Sequence, residues 1–176
     1  MGFRKFVTNM KIKKWKKAGL VVGKSFQLEK GSSVDPSFPW LVTIGDHVTL
    51  APNVQVLSHD GSTKNQLGYT RIGLVKIGNN VFVGTNSVIL PNVTIGDNVV
   101  VAAGSIVSRD VPDNCVVAGS PAKVIRTIDS FTEKNKAIMD SSVKYDFSYT
   151  KYGNVTKKKK KEMIEKLSEV GIGFIE

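Results

Sequence analysis

Aliphatic residues recur every six positions along most of this chain. They stand at Val22, Leu28 and Val34, at Ile44, Leu50 and Val56, and at Ile77, Val83, Ile89, Ile95, Val101 and Val107. The period matches neither a strand alternation nor a helical stripe, so it describes a unit that repeats as a whole. The residue after each aliphatic is mostly small: Gly23, Gly45, Ala51, Gly78, Gly84, Gly96 and Ala102. Four positions after the aliphatic a second inward residue is predicted, at Val48, Val54, Val81, Ser87, Val93, Val99, Ser105 and Val111. The position between reads Gly31, His47, Asn53, His59, Asn80, Asn86, Asn92, Asn98, Gly104 and Asp110, with Ser25 and Ser37 in the remaining units. These residue types tolerate positive φ, which predicts a tight corner in each unit.

Short flat strands joined by such corners make a parallel β-solenoid, three hexapeptides to a triangular coil, with no coil stable alone. The repeat supplies about four coils, with a partial one from Asp113 to Gly119. Four extra residues, Pro39 and Trp40 among them, interrupt it between Val34 and Ile44, and fifteen more between Val56 and Ile77. The coils do not need the long excursion, taken as residues 58–75, so it is expected to carry function.

Composition narrows the setting. The chain has no run of eighteen apolar residues and its lysine-rich start lacks an apolar signal core, which predicts a soluble, cytoplasmic protein. The lone Cys115 excludes an intrachain disulfide and reads as a buried thiol of the last coil. Net charge is +10, concentrated at Lys11, Lys13, Lys14, Lys16 and Lys17 and in the run Lys157 to Lys161. Phe3, Phe6, Val7 and Met10 at helical spacing predict an amphipathic helical cap over residues 1–19. Ser130 with Glu133 forms a capping box for a second helix, and a third, carrying Met163, Ile164 and Leu167, is predicted to end near Gly171. The basic tracts read as solvated helix faces in preference to a membrane-surface site. With no aromatic residue interleaved in the run Lys157 to Lys161 and no nucleic-acid motif, no nucleic-acid partner is expected.

Both histidines of the chain fall at the corner position. His47 lies inside an unbroken coil and reads as a corner residue. His59 stands where the repeat breaks, in the polar stretch Ser58-His59-Asp60-Gly61, with room for a substrate. Histidine changes charge near neutral pH, which suits it to take a proton from a hydroxyl there.

The run Val75-Lys76-Ile77-Gly78-Asn79-Asn80-Val81-Phe82-Val83-Gly84 resembles the signature coil of the hexapeptide-repeat acyltransferases. The segments Ile89 to Ser105, Asp110 to Asp113 and Val117 to Arg126 continue the likeness, which spans roughly residues 20–126. It is similar to the maltose, galactoside and xenobiotic acetyltransferases. Asp35-Pro36-Ser37-Phe38-Pro39-Trp40 and Ser58-His59-Asp60 look most like bacterial surface-polysaccharide O-acetyltransferases. The resemblance implies a left-handed parallel β-helix over 20–126, short α-helical appendages at 1–19 and 127–176, and a homotrimer with sites between subunits. It implies acetyl-CoA as cosubstrate and no metal. His59 would be the general base, Gly84, Ala102 and Ala103 would line the pantetheine arm, and Lys123, Arg126 and Arg109 would meet CoA phosphates. Phe82 stands where many relatives carry a Trp that stacks on the cofactor. Asp35 and Asp60 are candidate contacts to a sugar-like acceptor, or turn formers. The implied reaction is acetyl transfer to a sugar or polysaccharide-precursor hydroxyl. The alternatives are N-acetylation of an amino sugar or xenobiotic, or a non-catalytic trimeric scaffold. A zinc hydrolyase is disfavoured because two histidines in different settings and a distant cysteine supply poor ligands.

Overall fold

The computed structural model describes residues 2–176, with side chains from Met10 onward. From Val21 to Gly119 the chain visits three parallel sheets in rotation. The first holds Val21–Val22, Val42–Ile44, Val75–Ile77 and Val93–Ile95. The second holds Gln27–Leu28, Thr49–Leu50, Phe82–Val83, Val100–Val101 and Cys115–Gly119. The third holds Ser33–Val34, Gln55–Val56, Val88–Ile89 and Ile106–Val107. Registers keep the repeat in phase, Leu28 beside Leu50, Leu50 beside Val83 and Val83 beside Val101.

The predicted aliphatic positions end these strands and stack coil upon coil in one core, with Val34, Leu50, Val56, Val83, Ile89 and Val101 fully buried. The predicted second set is buried too, and Ser87 and Ser105 each donate their hydroxyl to the Ala102 carbonyl. The small residue after each aliphatic has a steric cause: a Cβ added to Gly78 would lie 2.7 Å from the Gly96 carbonyl carbon of the next coil. Positive φ occurs at Ser25, Gly31, His47, Asn53, Asn80, Asn86, Asn92, Asn98 and Gly104, as the corner reading requires. His59, Ser37 and Asp110 depart from it. At Ser37 and His59 the chain leaves the coil and makes no corner, and at Asp110 the carboxylate instead accepts from the Thr94 amide at 2.8 Å.

A ladder not anticipated from the repeat ties the coils along one edge. Asp46, Asn79, Asp97 and Asp113 each accept a backbone N–H from the preceding coil, at Lys24, Asp46, Asn79 and Asp97, over 2.6–2.8 Å. Asn80, Asn98 and Asn114 form a parallel amide ladder. The partial coil also continues further than predicted: after Cys115–Gly119 the chain reverses, and Ala122–Thr127 pairs antiparallel with it, extending the second sheet.

The N-terminal helix α1 spans Gly2–Lys17. Its anchors are Trp15, 7% exposed and in the core, and the half-buried Ile12 packed against it. Met10, predicted to face inward, is exposed; Phe3, Phe6 and Val7 lie outside the described side chains. The long excursion folds as a hairpin, His59–Asp60 antiparallel to Arg71–Ile72, enclosing a 3-10 turn at Gly61–Thr63 and the single-turn helix α2 at Lys64–Leu67. It ends at Leu74, because Val75 already belongs to a core strand.

Asp129–Glu176 form a second compact unit. Helix α3, Ile128–Asp140, begins two residues before the predicted capping box, so Ser130 lies inside it. Helix α4, Lys157–Val170, is capped by the Thr156 hydroxyl and stops at Gly171, φ 78°, as predicted. Within the unit Val143–Tyr145 pairs in parallel with Gly173–Ile175. The Lys159 ammonium lies 4.5 Å from the Tyr149 ring centroid, whereas Lys157, Lys158, Lys160 and Lys161 are exposed.

Candidate functional site

Both interruptions of the repeat leave the third sheet at the same edge, one coil apart. Asp35 directly follows Ser33–Val34, and Ser58 and His59 follow Gln55–Val56, whose strands are paired. Stacking therefore sets Asp35 against His59 although 24 residues separate them. Asp35 is fully buried. Its Oδ1 accepts from the amides of Ser37 at 2.9 Å and Phe38 at 3.4 Å. Its Oδ2 accepts the Ser58 amide at 2.9 Å, the Ser58 hydroxyl at 2.8 Å and His59 Nδ1 at 2.5 Å.

Burial alone would raise the Asp35 pKa. The His59 bond, together with the donors from Ser37 and Ser58, outweighs it and holds the carboxyl down to about 2, from an ordinary 3.8. An ionised carboxylate accepts only, so Nδ1 of His59 donates to it, and in the neutral imidazole Nε2 is then the acceptor. The His59 side chain is 34% exposed, so the ring can meet a solute while its far side is anchored. Asp35 has no surface left for an acceptor, which removes the direct acceptor contact predicted for it.

The hairpin beside His59 is braced. Asp60 accepts the Ser62 amide at 2.9 Å and the Arg71 guanidinium at 2.7 Å. The Ser62 amide, with its hydroxyl and Arg71, keeps the Asp60 carboxyl below its usual range. Asp60 is thus a turn former and ion-pair member whose side chain stays 30% exposed. The Gly73 amide closes the excursion onto the Ser58 carbonyl at 2.9 Å. Phe38, missed by the sequence reading, meets the His59 ring edge-on, with centroids 5.4 Å apart.

The residues predicted to meet the acyl donor lie elsewhere on the coil. Phe82 faces outward from the second sheet, and Lys123 and Arg126 lie on its terminal strand. Gly84 and Ala102–Ala103 form successive turns between the second and third sheets; a Cβ on Gly84 would lie 2.5 Å from the Ala103 amide nitrogen. Arg109 is exposed just beyond the last strand of the third sheet. His47 is the ordinary corner predicted for it. Cys115 is buried, its thiol raised by burial and the nearby Asp113, and its Sγ contacts the Pro112 carbonyl. Among the described residues no group of three or more His, Cys, Asp or Glu is arranged to hold a metal, and no helix is long and apolar enough to cross a membrane.

Three parallel sheets visited in turn by a six-residue repeat, with an anchored imidazole where the repeat breaks, define a hexapeptide-repeat protein. Residues 74–109 match the bacterial transferase hexapeptide family (six repeats). Protein CapG of Staphylococcus aureus is 41% identical over 156 residues, covering 86% of each chain. The chain belongs to the hexapeptide-repeat acyltransferase family. A hexapeptide-repeat acetyltransferase of Vibrio cholerae O1 biovar eltor, solved with acetyl coenzyme A, aligns with a TM-score of 0.56 and 32% identity, over 62% of this chain and 60% of that one. A galactoside acetyltransferase in complex with coenzyme A aligns at 0.59 and 39%, over 66% of this chain and 58% of that one. The chain thus spans somewhat less than two thirds of the length of either solved structure.

Proposed function

We propose that this protein transfers an acetyl group from acetyl-CoA to a hydroxyl of a sugar or polysaccharide precursor, with His59 as general base. The observation that carries the reading is the 2.5 Å contact between His59 Nδ1 and the fully buried Asp35. It fixes the tautomer and orientation that leave Nε2 free to accept a proton. Nε2 takes the acceptor's hydroxyl proton as the oxygen attacks the thioester carbon. On collapse of the intermediate the C–S bond breaks, and the imidazolium returns its proton to the departing thiolate. Asp35 balances the transient imidazolium charge without changing its own protonation.

The donor would lie along the second sheet, where Gly84, Ala102 and Ala103 allow close approach, Phe82 offers an exposed ring, and Lys123 and Arg126 offer cations for its phosphates. Arg109, expected to join them, instead follows Ile106–Val107, on the side of the third sheet from which His59 departs. The acetyl-CoA and CoA complexes of the related structures support this placement. Their family likeness also supports a left-handed coil. His59 leaves the far edge of the third sheet, whereas Gly84 and Ala102 sit at its near edge, before its strands begin. One chain therefore separates base and donor wall by the width of a sheet. A homotrimer in which each cleft takes the base from one subunit and the wall from its neighbour resolves this. We assign residues 20–126 to the catalytic domain, 1–19 to a cap and 127–176 to a helical tail, in a cytoplasmic protein.

Calorimetric titration with acetyl-CoA, followed by thiol release in the presence of methyl pyranosides, tests the reading. Binding that weakens about tenfold or more in a Lys123→Ala/Arg126→Ala variant is expected, since charge-assisted bonds to phosphate are among the stronger polar contacts. Absence of acetyl-CoA binding by the unmodified protein would leave a scaffold.

A further inference from the structure

We propose that Phe38 and Trp40 form the platform on which the acceptor lies, and that it selects a pyranose ring over an open-chain polyol. This rests on the reading of His59 as the base that meets the acceptor hydroxyl. The first interruption of the repeat, from Pro36 to Leu41, adds chain that the coil does not require. It carries two aromatic residues toward the base. Phe38 and Trp40 stand edge to face, centroids 5.6 Å apart, and Phe38 in turn meets the His59 ring. The three rings form a continuous chain from the imidazole outward.

Trp40 is 57% exposed, a large apolar surface on a segment that is otherwise tightly held. Pro39 is buried at the start of the 3-10 turn Pro39–Leu41, and the amides of Leu41 and Val42 close it onto the carbonyls of Phe38 and Pro39. Gly19, at φ 104°, lies against it so closely that an added Cβ would stand 2.7 Å from the Trp40 Cβ. The indole is thus presented from a rigid turn, so ordering it on binding costs little. The other tryptophan, Trp15, is buried in the core, which leaves Trp40 the exposed tryptophan of the chain.

A pyranose has a rigid face of C–H groups and a rim of hydroxyls. The negative π face of an aromatic ring takes the C–H face by dispersion and weak electrostatics, while the rim stays free for polar partners. With the sugar laid on the Trp40 face, Phe38, whose plane stands at 79° to the indole, borders it and links it to His59, and a rim hydroxyl is turned toward Nε2. The partly exposed Asp60–Arg71 pair beside it offers polar groups to the remaining rim. An open-chain polyol has the hydroxyls without the rigid face, and it loses more conformational freedom on binding.

Ligand-observed NMR of the whole protein without acetyl-CoA reads this directly, using methyl glucopyranoside, methyl galactopyranoside and glucitol as probes. Saturation transfer to the C–H protons of at least one pyranoside, and not to glucitol, is expected. Trp40→Ala should weaken that binding about tenfold or more, Trp40→Phe should restore most of it, and the thermal midpoint should not move. Equal binding by Trp40→Ala, equal response to glucitol, or no pyranoside response from the unmodified protein overturns the platform. His59→Ala should still bind the pyranoside. If that variant also keeps full turnover while Trp40→Ala loses binding, the base assignment falls and the platform stands.

Discussion

At the scale of single residues, the site is one imidazole with a carboxylate behind it. Asp35 binds the turn that follows it, the strand end at Ser58 and the ring of His59. Asp35→Asn removes the fixed negative charge and admits the other tautomer. Turnover should fall by about 10²-fold or more, with acetyl-CoA affinity retained, a separation that general loosening of the fold would not give. The same carboxylate has a signature in stability. Its folded pKa, about 2, lies below the ordinary 3.8. The stabilisation it brings is therefore complete above pH 4 and is lost as pH falls toward 2, worth about 2 kcal/mol for a shift of this size. Denaturant melts between pH 5 and 2 should show that loss, and Asp35→Asn should show a flatter slope. His59 could be singled out in the sequence because it stood at a break in the repeat. The role of Asp35 could not: the three-unit coil sets Val34 beside Val56, but Asp35 and His59 both lie in interruptions that the period does not describe.

At the scale of elements, the six-residue period legibly specified strand ends, inward residues and most corners, because each coil imposes the same steric demands on the same positions. Gly78 is small because Gly96 of the next coil is in the way, and Asn80 adopts positive φ because the chain turns there. The period says nothing where it stops applying. The hairpin fold of the excursion, the antiparallel return strand at Ala122–Thr127 and the inward set of α1 are fixed by contacts with no sequence periodicity. Trp15 and Ile12, not Met10, carry α1 because the coil end offers its surface to that side of the helix. Core continuity gives a direct test: Ile95→Ala, at a fully buried strand end, should cost about 2–5 kcal/mol in a denaturant melt, since stacked coils cannot collapse around the cavity. Cys115, buried with its thiol raised, should stay unreactive toward a disulfide reagent at neutral pH until the protein unfolds.

At the scale of the whole molecule, a rigid stack of coils carries two surfaces that a single chain keeps apart. His59, the proposed base, and its aromatic neighbours project from one edge of the third sheet, and the small-residue turns of the proposed donor wall lie at the other. The proposed trimer would unite them, and light scattering should then return a mass near three times 19.2 kDa. The charge of the chain is divided: Lys123 and Arg126 lie on the terminal strand of the second sheet, the proposed donor wall, whereas most of the run Lys157 to Lys161 remains on the exposed side of α4. The measurement that bears most directly on the account is the turnover of His59→Ala beside the unmodified protein, under saturating acetyl-CoA and a pyranoside acceptor. The account predicts a fall in kcat of about 10²–10⁴-fold with acetyl-CoA binding unchanged by calorimetry. Undiminished turnover by that variant would contradict it.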